Sequence, residues 1–344
     1  MKLKFVIFSS IILSIIPAAF ISCGGDFSFA PEGGNGGRLS VLTWNLQTFF
    51  DGKKDGCEYS QFLSEKYWGR DLYQKRLKRL TSSLKELNCD ILVMEEVENE
   101  GVLYDIYNFM AGEWDSSRVY KWACFAKEEY GAIGIGILSR YPLENMKLHC
   151  LDILSEEKAQ PSMRPLLEVD VKTKKGSLTL IANHWKSMKG GKEESEVWRK
   201  REEGLLEGIV RKCLENNKRV IALGDFNRSL EDFASGGSGA GSGIGGEGVL
   251  LRPYRNPAIL PEGTFVKSCW YFDYGEENKG SYFYKDEWSR IDNIFYGGDL
   301  RLEYFAAESK GDWCDKKTSV PQAFTLWNGS GYSDHLPLKA EFIF

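Results

Sequence analysis

The sequence predicts an α/β protein built as two packed β-sheets with helices on the outside. Short runs of β-branched and aromatic residues recur along most of the chain, far outnumbering the amphipathic stretches with helical spacing. The links between neighbouring runs are short and hairpin-like, and glycine marks several of them. At 344 residues, 42% hydrophobic and 13% aromatic, the chain can bury a large core. A net charge of −5 excludes a global attraction to nucleic acid or to an anionic membrane. Any phosphate-bearing substrate has to be met by local cations or by metal.

The N-terminus reads as an address. Lys2 and Lys4 precede an apolar run from Phe5 to Ile21, which meets Ser22, Cys23 and two glycines. FISC followed by glycines resembles the lipobox of bacterial lipoproteins. That resemblance implies a signal peptide over 1–22, acylation of Cys23 and a lipid-anchored place in the bacterial cell envelope. Residues 23–38 are glycine-rich and are expected to be a flexible tether. Seven cysteines lie beyond Cys23, without CxxC spacing, so a zinc site is not expected. One or two disulfides, with Cys269 and Cys314 as candidates, are an expectation for an exported chain.

The domain is expected to occupy 39–344. SVLTWNLQTFF begins it as a strand ending around Asn45, and a helix follows with Leu77, Leu80, Leu84 and Leu87 inward and Asn88 at its end. DILVMEEV over 90–97 is a second, mostly buried strand. KWACFAKEE and GAIGIGILSR form two more around a turn near Gly131, and RPLLEVDV and SLTLIANHW pair over Lys174-Lys175-Gly176. A charged helix from about Glu193 to Asn216 has Val197, Leu205, Leu206, Ile209, Val210 and Leu214 as its inner stripe. It leads into VIALGDFN. Residues 234–248 form a low-complexity Gly/Ser-rich insertion, and SRIDNIFYGG, LRLEYFAAESK and DHLPLKAEFIF complete the strands.

Polar residues gather where strands end. Asp225 and Asn227 close the buried run after Gly224, and strand geometry carried to that point would put both on one side. An Asx turn is the competing reading of the same residues. Asn45 ends TWN, Glu95 and Glu96 end VMEE, His184 ends LIANHW, Asp292 sits in RID, and Asp334-His335 follow Ser333. Carboxylates with an amide favour a hard cation, Mg²⁺ or Mn²⁺, over zinc. A histidine beside carboxylates supplies a general base whose tautomer its partner fixes. His149, the third histidine, is given no role.

In order and approximate spacing, TWN, VMEEVEN, NHW, GDFN, RIDNI and SDHLP resemble the endonuclease/exonuclease/phosphatase superfamily over about Leu39 to Phe344. The resemblance implies a four-layer, deoxyribonuclease-like sandwich and Mg²⁺-dependent hydrolysis of phosphodiesters. It implies Glu96, Asn45 and Asp334 at the metal, with Glu95 standing where glutamine is usual. Asp225 and Asn227 would orient water and bind a phosphate oxygen, and His335 paired with Asp292 would activate water. His184 would stabilise the phosphate or protonate the leaving group, with Glu128 and Glu129 as the two candidates to support it. Arg164 would contact phosphate.

A nuclease working as a monomer is the expected function. A lipid phosphodiesterase or phosphatase is the first alternative, for which the aromatic stretch from Trp270 to Tyr274 would be the exposed hairpin if it were not buried. A non-catalytic binding lipoprotein is the second. Lys186, Lys189 and Lys192, joined by Arg164 and Arg228, are the local basic surface a nuclease would need.

Overall fold

The computed structural model describes residues 3–5, 37–152, 160–234, 266–272 and 279–344. Two mixed sheets form the body. The seven-stranded sheet runs in the order β1 (Lys4–Phe5), β4 (Trp122–Ala126), β5 (Gly134–Ser139), β3 (Ile91–Val97), β2 (Arg38–Phe49), β15 (Leu338–Ile343) and β14 (Arg301–Ala307). The six-stranded sheet runs β10 (Lys267–Ser268), β13 (Asp292–Gly297), β9 (Arg219–Asp225), β8 (Gly176–His184), β7 (Leu166–Thr173) and β6 (Leu143–His149). A separate two-stranded hairpin joins β11 (Tyr282–Tyr284) to β12 (Glu287–Ser289). The two-sheet sandwich read from the sequence is the fold observed.

Alternation along the central strands explains the layers. In β9, Ile221 and Leu223 belong to the core between the sheets, whereas Val220 and Ala222 belong to a second cluster with Leu206, Ile209 and Val210. Those last three lie on helix α4 (Lys192–Glu215), which therefore covers the outer face of the six-stranded sheet. Helices α2 (Arg70–Leu87) and α3 (Glu100–Glu113) add Leu77, Leu80, Leu84, Leu103 and Ile106 to the main core. Short helices α1 (Ser60–Ser64) and α5 (Leu230–Ala234) are the other α-helices among the described residues. Asn88 ends α2 in the left-handed conformation, φ 40°, and its N–H reaches Leu84 O, as the sequence predicts.

Three readings need correction. The inner stripe of α4 is rotated in its first half: Val197 is exposed, while Trp198, Arg199 and Glu202 are buried. The reason is polar. Arg199 donates to Lys186 O at 3.1 Å and Glu202 accepts the Lys186 N–H at 2.9 Å, so this face holds the loop that leaves β8. Helix α3 was not anticipated, although Asn99 caps it by accepting the Val102 N–H at 3.2 Å. All seven described cysteines are free thiols. Cys269 is fully buried and Cys314 turns its sulfur to Ser309 O, 2.9 Å away, so neither forms the expected bridge.

Trp270 is buried, with its indole N–H on Asp292 O at 2.9 Å, while Asp273 and Tyr274 of the same aromatic stretch lie outside the described residues. Cys23, the tether up to residue 36 and the Gly/Ser-rich insertion from residue 235 lie outside the described residues, whereas Arg38, expected in the tether, begins β2. Among the described residues no helix is long and apolar enough to cross a membrane.

Candidate active site

Strand register assembles the site. Asp225 on β9 is level with His184 on parallel β8 and with Asp292 on antiparallel β13, so three motifs far apart in sequence form one row. In the facing sheet, Asn45 on β2 is level with Glu95 on β3. Gly224 lets the sheets approach at this point. A Cβ there would lie 1.9 Å from Asn183 O and 3.0 Å from a Glu95 carboxylate oxygen, and φ is +133°.

The amide of Asn45 crosses between the sheets. Its Nδ2 donates to Asp225 Oδ2 at 3.0 Å and to Glu96 Oε1 at 3.3 Å, while Oδ1 accepts the Gln47 N–H at 2.9 Å. Asn45 thus ties two carboxylates together, and its oxygen keeps a second lone pair. The rest of TWN is also partnered. Thr43 donates to Glu95 at 2.7 Å, and the Trp44 indole N–H donates to His335 O at 2.9 Å. Ser333 returns a bond of 2.5 Å to Asn45 O and accepts the His335 N–H at 3.1 Å.

Asp225 and Asn227 satisfy both readings of GDFN. The strand stops at Asp225 and Asn227 is left-handed, φ 47°, with its N–H on Asp225 Oδ1 at 2.7 Å in an Asx turn. Its side chain nonetheless stays in the site, 3.2 Å from Asp225 Oδ2 and 3.1 Å from Trp185 O. Gln47, Thr48 and Glu96 are left-handed too, at φ 50°, 56° and 61°. Strain of about 1–3 kcal/mol per residue is concentrated here, as at many reacting centres.

His335 Nδ1 lies 2.8 Å from Asp292 Oδ2, and Ser281 donates to the same oxygen at 2.6 Å. Burial opposes a charge on this ring, but Asp292, Asp334 and Asp225 together raise its proton affinity well above the ordinary value. Asp334 is half-exposed at the rim, 4.0 Å from His335 Nε2. Asp225 is pushed up to about 7, by burial first and then by the charge of Asp292. Burial also holds Glu95 well above the carboxylate range, with Asp292 and Asp225 adding to the effect.

His184 is buried, and its Nε2 stands 3.8 Å from Asp225 and 3.9 Å from Glu96. Burial, then Arg164, lowers its pKa well below the usual value, so the ring is neutral. Its Nδ1 has no hydrogen-bond partner. Neither expected glutamate reaches it: Glu128 accepts from Ser162 and Glu129 is exposed. Arg164 donates through Nε to His184 O at 3.0 Å and through Nη2 to Trp185 O at 2.9 Å, anchoring the end of β8 with two of its five N–H groups. The basic surface shrinks as well. Arg228 is buried against Glu196 and Glu203, and Lys192 pairs with Asp232 at 3.5 Å.

Two functional neighbours escaped sequence reading. Arg76 is buried and has no carboxylate partner; its guanidinium donates to Leu46 O at 2.6 Å, Gln47 O at 2.8 Å and Thr48 O at 2.9 Å, and lies 3.5 Å from the centroid of Phe324. It holds the left-handed turn from which the Thr48 N–H donates to Glu96 Oε2 at 2.7 Å. Arg76→Met is expected to leave these carbonyls unpaired and to cost about 3 kcal/mol in urea unfolding.

Glu202 is the second. Burial pushes its carboxyl up to about 8 from 4.5, against the pull of the Lys186 N–H and of Arg164 and Arg199. The folded state therefore keeps the proton longer than the unfolded chain. This stabilisation is complete below about pH 4.5 and is lost as pH rises through 8. Glu202→Gln should melt like the natural protein near pH 4.5 and progressively higher as pH approaches 8, by on the order of 2 kcal/mol. A constant offset across that range would contradict the assignment.

The fold is shared with truncated Caenorhabditis elegans TDP2 at 18% identity and a TM-score of 0.55, covering 89% of this chain and 98% of that one. D. rerio TDP2 complexed with single strand DNA product is similar at 18% identity and a TM-score of 0.52, covering 89% and 99%. The human Nocturnin catalytic domain with bound sulfate anion is similar at 15% and 0.53, covering 90% and 94%. No curated protein matches the sequence. The sequence model of the Endonuclease/Exonuclease/phosphatase family matches residues 40–237, from the first long strand through GDFN. With both sheets, the strand-end motifs and that match in agreement, the chain belongs to the endonuclease/exonuclease/phosphatase family.

Proposed function

We propose that this chain is a divalent-metal-dependent phosphodiesterase that hydrolyses nucleic acid. The observation that carries the reading is the row of His184, Asp225 and Asp292 completed by His335, a neutral histidine and a carboxylate-bonded histidine on either side of one buried aspartate. With Nδ1 donating to Asp292, His335 keeps Nε2 to take a proton from water. Asp225 and Asn227 orient that water and a phosphate oxygen. His184, neutral and with Nε2 toward the carboxylates, donates to the phosphate or to the departing oxygen.

The residues present fit Mg²⁺ or Mn²⁺. Glu96, Asp225 and Asp334 offer hard oxygen donors without a thiolate, and ligand atoms of Asp225, Asp292 and His335 lie within 4.8 Å of one another beside them. A bound divalent ion would supply charge to a phosphoryl oxygen. Glu96 and Asp334 would hold it, with Asp225 alongside.

Nucleic acid is favoured over lipid by two observations. Trp270, at the head of the aromatic stretch, is buried, and the structurally similar D. rerio TDP2 was captured with a single strand DNA product. The full chain should cleave plasmid DNA or RNA and leave sphingomyelin and inositol phosphates intact. Turnover of lipid without cleavage of nucleic acid would transfer the assignment to the lipid reading. The proposal extends to place: a lipid on Cys23 would hold the enzyme in the cell envelope, and Cys23→Ser should then abolish labelling by a fatty-acid analogue.

A further inference from the structure

The hairpin of β11 and β12 lies against the site and has a face that the core does not use. Residues two apart share a side of a strand, so Tyr282 and Tyr284 project together and Phe283 projects oppositely. Phe283 packs on Trp288 with centroids 5.1 Å apart, and Trp288 packs on the main core. The tyrosines face elsewhere. The Tyr282 ring meets the His335 ring at 4.8 Å, and Tyr284 continues the series at 6.3 Å, only 21° from parallel to Tyr282. Three rings thus run outward from the candidate base, and the last, Tyr284, is 58% exposed.

The hairpin is fixed relative to the chemistry. A two-stranded ribbon is marginal alone, but the Ser281 hydroxyl bonds Asp292 at 2.6 Å, Ser281 O accepts the Leu336 N–H at 2.7 Å, and Tyr282 bridges to His335 in backbone register. Its tip is Lys285 and Asp286, both left-handed, at φ 49° and 65°, in a tight two-residue turn. Lys285 Nζ lies 5.3 Å from the Tyr284 centroid. A planar ring with a cation beside it suits a nucleobase and its adjoining phosphate. A charged tip does not suit entry into a bilayer.

We infer that Tyr284, held by Tyr282 against His335, stacks on a base of the substrate next to the scissile phosphate, so that the enzyme takes single-stranded nucleic acid in preference to diesters without a planar ring. This deepens the phosphodiesterase reading and rests on it for the identity of the scissile bond, but stacking itself can be measured without hydrolysis.

The test is equilibrium binding in EDTA of a fluorescein-labelled thymidine hexamer and of an abasic hexamer of equal charge to the full chain. The natural protein should bind the thymidine hexamer about tenfold more tightly. Tyr284→Ala should erase that difference, Tyr284→Trp should keep it, and affinity for the abasic hexamer should be the same in all three. Equal binding of the two hexamers by the natural protein, or an unchanged preference in Tyr284→Ala, would overturn the inference. So would Tyr284-dependent sedimentation with sphingomyelin–phosphatidylcholine vesicles, which would make the ring a lipid contact. A base preference that survives while no diester is hydrolysed would remove the phosphodiesterase reading and leave the stacking site standing.

Discussion

His335→Ala is expected to lower phosphodiester hydrolysis on the order of 10² to 10⁴-fold, with little change in melting temperature. The loss follows from what the ring does and where it sits. Asp292 holds Nδ1 at 2.8 Å, which fixes the ring and its tautomer and turns Nε2 to the site. The backbone bonds of the segment, Trp44 to His335 O and the His335 N–H to Ser333, do not need the imidazole, so the fold should survive its removal. Asp292→Asn should lose about as much, on the order of 10⁴-fold, since an amide that donates to Nδ1 shifts the ring proton to Nε2 and leaves no base there. A large fall in melting temperature with a modest loss of rate would instead mark His335 as a structural histidine.

Glu96→Gln is expected to raise the Mg²⁺ concentration for half-maximal activity by more than about tenfold, because changes one shell further out already cost 10 to 100-fold in metal affinity. The substitution removes one charge and no volume. Glutamine can still accept the Thr48 N–H that Glu96 Oε2 accepts at 2.7 Å, so the left-handed turn should persist. Titration of activity with Mg²⁺ separates this outcome from simple misfolding, which would lower the maximum without shifting the midpoint. An unshifted midpoint would remove Glu96 from the metal.

The strands and their polar ends could be read from the sequence because a buried strand advertises itself by apolar continuity, and a polar residue that interrupts it stands out. Asn45, Asp225, Asp292 and His335 were legible for that reason. Their convergence was not, since it depends on the registers His184–Asp225 and Asp225–Asp292, which no local pattern encodes. Arg76 and Glu202 were hidden by helical periodicity, which reports the apolar face and treats every charge as solvated. Arg76 is buried because carbonyls of residues 46–48 come to meet it, and Glu202 because the loop after β8 does. Arg228 shows the converse: it looked available for phosphate, yet it is buried against glutamates. Residue type named the chemistry, but only the fold assigned the partner.

The central claim, hydrolysis that depends on a cation held among Glu96, Asp225 and Asp334, is tested most directly by chelation. The purified full chain should nick plasmid DNA in Mg²⁺, lose that activity completely in EDTA, and recover it when Mg²⁺ or Mn²⁺ is added in excess. Undiminished nicking in EDTA would contradict the account.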